Sequence, residues 1–133
     1  QDIGDWYNKN VQGSMIIQGR MLRDIRLGSK TEAIVISISS LTLSNCISLQ
    51  RLLLSNISTL SGTLNLAGVL ITEVYADGTS LVQIILPKGG GLRSVEFSAY
   101  NQYLSLANYP LMTNEGVGID LCEEIITDFF ITG

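Results

Sequence analysis

Histidine is absent from this 133-residue chain, and its absence removes most of the familiar catalytic arrangements. Without histidine there is no Ser-His-Asp or Cys-His catalysis, and the commonest zinc ligand is missing. The two cysteines, Cys46 and Cys122, are too far apart in sequence to form a zinc or iron–sulfur pattern. The sequence therefore predicts a protein that is not an enzyme and that holds no metal or other cofactor.

Charged residues are also scarce, at 15% of the chain against about 25% in ordinary soluble domains. Part of the surface must be weakly charged, and it is either exposed or covered by a partner. The net charge of −4 gives no case for binding nucleic acid or an anionic membrane. No apolar run reaches the length of about 18 residues that a membrane-spanning helix needs.

The few charges are unevenly distributed along the chain. Residues 1–60 carry six Lys or Arg against four Asp or Glu, whereas residues 61–133 carry two against eight. This asymmetry fits chance combined with internal pairing. It also fits head-to-tail contacts between copies, because opposite fields steer association.

Two segments invite a ligand-binding interpretation, and both lack the required pattern. The acidic residues near the C-terminus have neither EF-hand spacing nor the recognisable pair of a glycosidase, which favours a solvated face; they are Asp120, Glu123, Glu124 and Asp128. The glycines of Lys88 to Gly91 precede a predicted strand, whereas a phosphate loop opens a helix and ends in Lys-Ser or Lys-Thr.

The segment from Leu64 to Tyr100 predicts three consecutive strands. Val69 to Tyr75 is rich in β-branched residues, Leu81 to Leu86 is apolar on both faces, and Ser94 to Tyr100 alternates with a period of two. Asp77-Gly78 between the first two strands is typical of a hairpin turn. This pattern predicts an antiparallel meander.

The other segments complete a mainly β prediction. Met15 to Leu27 predicts one long strand or two strands bent near Gly19, and Thr31 to Leu43 predicts another strand. Asn45 to Leu54 fits a helix or a strand. We therefore expect an antiparallel β-sandwich or barrel of the jelly-roll or immunoglobulin-like kind. Residues 1–133 should form a single domain, with a possible arm at 1–13 and a C-terminal strand or tail at 117–133.

The first residue predicts a secreted, processed chain, and a disulfide and a glycan are expected in such a protein. The chain begins with Gln1 rather than Met, as a processed chain would. Cys46 and Cys122 are expected to form one disulfide, with two buried free thiols as the alternative. Asn56-Ile57-Ser58 is a glycosylation sequon.

Aromatic residues near both ends are candidates for an interface between copies or for burial in the core. A C-terminal strand at Phe129 and Phe130 should complete a sheet, in this subunit or a neighbouring one. The interface candidates are Trp6, Tyr7, Tyr100, Tyr103, Tyr109, Phe129 and Phe130.

Several motifs of residues 67–100 match one known family. They are Asp77-Gly78, Leu81 to Leu86, Lys88 to Gly91 and Val95 to Tyr100, and the opening Gly4 to Val11 also matches. This part of the chain resembles the insect multiprotein-bridging-factor-two-like family of small secreted proteins. The resemblance implies a secreted protein without an enzymatic motif.

Together these observations predict a secreted, non-enzymatic structural protein that assembles into homo-oligomers through strand contacts, such as a fibre, pilus-like or coat subunit. The alternative is an extracellular β-barrel or sandwich module that binds a small apolar ligand or a partner protein.

Overall fold

The computed structural model describes residues 2–69 and 71–85, together with the backbone of residues 94–98 and 128–132; the side chain of residue 83 is not described. Ten strands and one short 3-10 helix, Trp6–Asn8, make up the regular structure of these residues. The strands are β1 (Asp2–Ile3), β2 (Gln12–Gln18), β3 (Asp24–Arg26), β4 (Ser37–Ser44), β5 (Arg51–Leu53), β6 (Ser61–Asn65), β7 (Glu73–Tyr75), β8 (Ser80–Ile85), β9 (Ser94–Ser98) and β10 (Asp128–Thr132).

The described strands form three parallel sheets. Six strands make sheet A, in the order β1-β3-β5-β7-β9-β10, while β2-β4 form sheet B and β6-β8 form sheet C. Up to β9 the chain alternates between sheet A and the other two sheets, so that each coil lies beside the previous one. Equivalent positions of successive coils are occupied by Asp2, Asp24, Arg51 and Glu73. The three coils between these positions are 22, 27 and 22 residues long. This arrangement is a parallel β-solenoid, in which each coil buries its apolar side against its neighbours.

The core of the described chain consists of aliphatic side chains stacked in register between the sheets. In sheet A the inward column contains Ile25, Leu52 and Val74, all of them fully buried. Leu27, Leu54 and Ala76 follow two residues later and are also fully buried. Because coils repeat the same inward positions, side chains of similar size meet those of the next coil.

The predicted antiparallel sandwich or barrel is wrong, because every strand pair of the described residues is parallel and none of their sheets closes into a barrel. The segments predicted as a meander do not pair consecutively: β7 pairs with β9, and β8 pairs with β6. At Asp77-Gly78, where Gly78 has a φ of 73°, the chain passes from sheet A to sheet C and does not fold back as a hairpin. A strand that is apolar on both faces, such as β8, is typical of buried parallel sheets.

Elsewhere the predicted strands are shorter than expected. The segment from Met15 to Leu27 is divided into β2 and β3, as the bent alternative predicted, and only the later part of Thr31 to Leu43 is strand. The ambiguous segment before Leu54 contributes β5, a strand of three residues. At the C-terminus, β10 pairs with β9 of the same chain.

Side-chain hydroxyl groups tie successive coils together at their connections. Thr72 Oγ1 donates to Gln50 O at 2.9 Å, and Ser80 Oγ donates to Ser58 O at 2.7 Å. In both pairs the donor lies one coil after the acceptor. The Gln50 carbonyl also accepts from the backbone amides of Thr72 and Glu73, so the Thr72 hydroxyl adds to an existing junction between coils. Each hydroxyl bond has a net contribution of about 1 kcal/mol.

Candidate functional site: the charged face of sheet A

The outward side of sheet A carries ordered charges, and we call it the charged face. Its first column, in register across β3, β5 and β7, is Asp24, Arg51 and Glu73. Its second column is Arg26, Leu53 and Tyr75. Outward and inward positions alternate along each strand, so the same three-residue strands supply both the buried core and this face.

Arg51 lies at the centre of the face and joins two acidic neighbours. Its Nη1 is 3.5 Å from Asp24 Oδ1, and its Nε is 3.3 Å from Glu73 Oε2. Among the described residues, Asp24 Oδ1 is the buried side-chain oxygen without a hydrogen bond. Its charge is compensated by Arg51 and by Arg26, whose Nη1 contacts Asp24 Oδ2.

Tyr75 lies beside this column with cations near its ring. Lys30 Nζ lies 5.0 Å from the ring centroid, and Arg51 Cζ lies 5.4 Å from it. Lys30 also forms an ion pair with Asp77 at 3.3 Å. Cation–π contacts of this kind contribute about 0.5–1 kcal/mol each at exposed sites. They hold the half-buried tyrosine in a defined orientation.

Arg26 lies at the other side of the charged face, and its guanidinium group remains charged. Desolvation by burial acts to lower its pKa, but the hydrogen bond to Asp24 and the charges of Asp24 and Asp5 outweigh that effect and raise the pKa above its usual value. Its Nε lies 3.4 Å from Asp5 Oδ1. Arg26 therefore keeps its positive charge beside the carboxylates of Asp24 and Asp5.

A polar corner follows β3, β5 and β7 of sheet A, at the point where the chain turns toward sheets B and C. The Ser29 amide donates to Ser55 O at 3.1 Å, and the Asn56 amide donates to Asp77 O at 2.7 Å. Asn56 Nδ2 also donates to Ser29 O at 3.0 Å, and Ser55 Oγ donates to Asp77. Asn56 has a φ of 67°, a left-handed conformation that asparagine tolerates better than most residues.

Replacing Asn56 by aspartate should therefore lower the free energy of unfolding by about 1–3 kcal/mol. The change removes the amide donor and places a carboxylate against the Ser29 carbonyl and near Asp77. Asn45→Asp is the matched control, because Asn45 is exposed and also left-handed, with a φ of 55°. Urea unfolding of both variants tests this, and equal losses would contradict the structural role of the Asn56 amide.

The second outward surface, on sheets B and C, differs chemically from the charged face. The strands β2, β4, β6 and β8 contain no Lys, Arg, Asp or Glu. The exposed positions of β2, β4 and β6 hold mainly Ser, Thr, Asn and Gln, and Ile16 is 71% exposed. The scarcity of charge in the sequence is thus concentrated on one side of the solenoid.

Of the predicted interface residues, the structure describes Trp6 and Tyr7 in full and Phe129 and Phe130 by their backbone. Trp6 packs against the core, Lys9 Nζ lies 5.9 Å from its ring centroid, and the backbone carbonyl of Tyr7 accepts from Val35 and Ile36. Phe129 and Phe130 lie in β10, in register with Val95 and Glu96. Tyr100, Tyr103 and Tyr109 lie outside the described residues.

The predicted disulfide and glycan remain predictions. Cys46 is a buried free thiol whose Sγ lies 3.5 Å from the carbonyl oxygens of Ile17 and Ser44, while Cys122 lies outside the described residues. Asn56 is exposed, but the nitrogen that a glycan would join already donates to Ser29. Asp120, Glu123, Glu124 and the segment from Lys88 to Gly91 are likewise outside the described part.

Within the described ranges, no group of three or more His, Cys, Asp or Glu residues is placed to hold a metal ion. No helix of those ranges is long and apolar enough to cross a membrane. The ion pairs and the aromatic ring of the charged face are suited to recognising another surface.

Sequence reasoning missed the charged face because it did not identify the coil repeat. The signal is a recurring pattern of three apolar positions spaced as L-x-x-L-x-L, the spacing found in the strand segment of leucine-rich repeats. It occurs as Leu22-x-x-Ile25-x-Leu27, Leu49-x-x-Leu52-x-Leu54 and Ile71-x-x-Val74-x-Ala76. In each triplet, two residues face outward: the one just before the middle apolar position and the one just after it.

No protein-family model matches this chain, and comparisons with curated proteins and with solved structures find no similar protein either. The resemblance to the multiprotein-bridging-factor-two-like family therefore rests on the quoted motifs alone.

Proposed function

We propose that this chain is a secreted, non-enzymatic structural protein whose copies associate through the charged face of sheet A. The observation that carries the proposal is the alternating column Asp24, Arg51, Glu73 beside Tyr75. Strand-to-strand contacts, which the sequence suggested, are replaced here by packing of one sheet face on another.

The alternation of charge makes the face complementary to itself. In a two-fold symmetric dimer, a residue that contacts a second residue across the interface is contacted by it in return. Arg51 of one copy can then lie against an acidic neighbour of Arg51 in the other copy, and the reverse pair forms by symmetry. The mixture of signs avoids the repulsion that a face of one sign would create between identical copies.

The central residues of the charged face also have groups that can contact a second copy of the chain. Arginine has five N–H donors, and only Nη1 and Nε of Arg51 face Asp24 and Glu73. Tyr75 and Leu53 supply aromatic and aliphatic area in the neighbouring column. Tyrosine and arginine are enriched among residues that dominate binding energy at protein interfaces.

Charge reversal at Arg51 should weaken association by at least about ten-fold, since truncating or reversing one member of an interfacial charge pair costs about 2–5 kcal/mol. Sedimentation velocity over a range of concentrations measures this for the wild type and for Arg51→Glu. Glu73 is the acidic neighbour more open to a second copy, with its side chain 40% exposed against 24% for Asp24. Reversing both signs, in Arg51→Glu with Glu73→Arg, should therefore restore association, because positions 51 and 73 again carry opposite charges across the interface.

Arg20→Glu is the matched control, because Arg20 is exposed and lies outside sheet A. It changes net charge equally and should leave association unchanged. Thermal unfolding of each variant separates loss of folding from loss of association. A wild-type chain that stays monomeric at the highest concentration, or an Arg51→Glu variant that associates as strongly as wild type, would refute the proposal.

A further inference from the structure

A cleft opens on the uncharged side of the solenoid, between β4 and β6. Its volume is about 170 Å³, room for about six water molecules. The residues that line it are Leu41, Thr42, Leu43, Thr63, Asn65 and Ala67. It is separate from the charged face, which belongs to the opposite sheet.

The cleft exists because sheets B and C do not join. β4 pairs only with β2 and β6 only with β8, and no backbone hydrogen bond of the described chain connects β4 to β6. Hydroxyl groups connect the coils at the start of these strands instead: Thr59 Oγ1 donates to Ile38 O at 2.8 Å, and Ser61 Oγ donates to Ser39 O at 3.3 Å. Beyond Ser61 the two strand edges border the cleft.

The lining is neutral and offers both donors and acceptors. Thr42 and Thr63 contribute hydroxyl groups, and Asn65 contributes an amide whose Oδ1 accepts from the Ala67 amide at 2.9 Å. Strand edges add main-chain N–H and C=O groups. Leu43 and Ala67 give the cleft an apolar part. A matching ligand has no charge, carries hydroxyl groups and a secondary amide, and has a small apolar group.

The size of the cleft decides between a peptide strand and a single ring. A strand inserted between β4 and β6 would need two ladder spacings of about 4.8 Å each. The hydrogen bond of 2.8 Å from Thr59 to Ile38 holds the two coils closer than that at one end. The volume is also below the range of about 300–1,000 Å³ that drug-sized ligands occupy, so one sugar ring is the better match.

We propose that the cleft between β4 and β6 binds one N-acetylhexosamine unit of a glycan. The acetamido group hydrogen-bonds to main-chain groups of one strand edge at the mouth of the cleft, and its methyl group contacts Leu43 and Ala67. The ring hydroxyls pair with Thr42 and with Asn65. Because the cleft is shallow and open to solvent, a single unit binds in the millimolar range.

Titration of the isotope-labelled chain with N-acetylglucosamine, followed by amide NMR shifts, tests this inference. The expected result is a saturable shift at residues 41–43 and 63–67, with glucose, which lacks the acetamido group, binding at least about five-fold more weakly. Shifts that are absent, that are equal for both sugars, or that fall elsewhere on the chain would overturn the proposal.

Two variants and one control sharpen the result. Thr42→Val removes a hydroxyl group without changing side-chain shape, and it should weaken binding by about five-fold, the value of one hydrogen bond. Ala67→Phe fills the cleft and should abolish binding. Ser14→Val, at an exposed position of β2 on the same side of the solenoid, should leave binding unchanged. Undiminished binding to Thr42→Val would overturn the proposal even if Ala67→Phe fails to fold.

Discussion

Leu52→Ala should lower the free energy of unfolding by about 2–5 kcal/mol, as large-to-small changes in well-packed cores do. Leu52 is fully buried and lies in register between Ile25 and Val74 in the centre of sheet A. Its removal leaves a cavity between two neighbouring coils. The coils cannot close around this cavity without shifting the ladder on both sides.

The adjacent residue provides the control for this prediction. Leu53 lies on the same strand but faces outward and is only half-buried, so Leu53→Ala should cost about 1 kcal/mol or less. Urea unfolding at constant m-value measures both changes. If the two variants lost equal stability, or if Leu53→Ala lost more, the assignment of inward and outward positions in β5 would be wrong.

Gly28→Ala should lower the free energy of unfolding by about 3 kcal/mol, at the upper end of the cost of overpacking. A Cβ atom at Gly28 would lie 2.6 Å from the Leu54 carbonyl carbon and 2.7 Å from the Ser55 nitrogen, and closer still to Ser55 O. These are backbone atoms of the next coil. Relief would require the coils to separate and would weaken the bond of 3.1 Å from the Gly28 amide to Leu53 O.

Gly13→Ala separates this clash from the general effect of replacing glycine. Gly13 has a φ of 77° and nothing within 4 Å of an added Cβ atom, so its replacement costs only the left-handed conformation, about 1–2 kcal/mol. Thermal and urea unfolding compare the two variants. A Gly28→Ala chain that is no less stable than Gly13→Ala would contradict the close approach of the two coils.

The strands could be located from sequence, but their direction and partners could not. The alternation in Ser94 to Tyr100 locates β9, and the β-branched segment from Val69 to Tyr75 locates β7 at its end, since both patterns reflect side chains on a pleated surface. Neither property distinguishes a parallel ladder from an antiparallel one. Gly78 supplies a positive φ at this corner of the solenoid, and a hairpin turn would require the same conformation.

The charged face could not be predicted from the sequence, for a related reason. Asp24, Arg51 and Glu73 are separated by 27 and 22 residues and become neighbours only through the coil register. The unequal coil lengths hide the repeat, because no single period superimposes all of the apolar triplets. The scarcity of charge was visible in the composition, but its concentration on the side away from sheet A depends on which strands share a sheet.

Nuclear Overhauser contacts between backbone protons test the parallel stacking of coils most directly, because every proposal above depends on it. Parallel stacking predicts contacts that join Leu52 to both Ile25 and Val74, and contacts that join β6 to β8 in register. Contacts that instead pair β7 with β8 across Asp77-Gly78, with none between Leu52 and Val74, would show an antiparallel hairpin and contradict the solenoid.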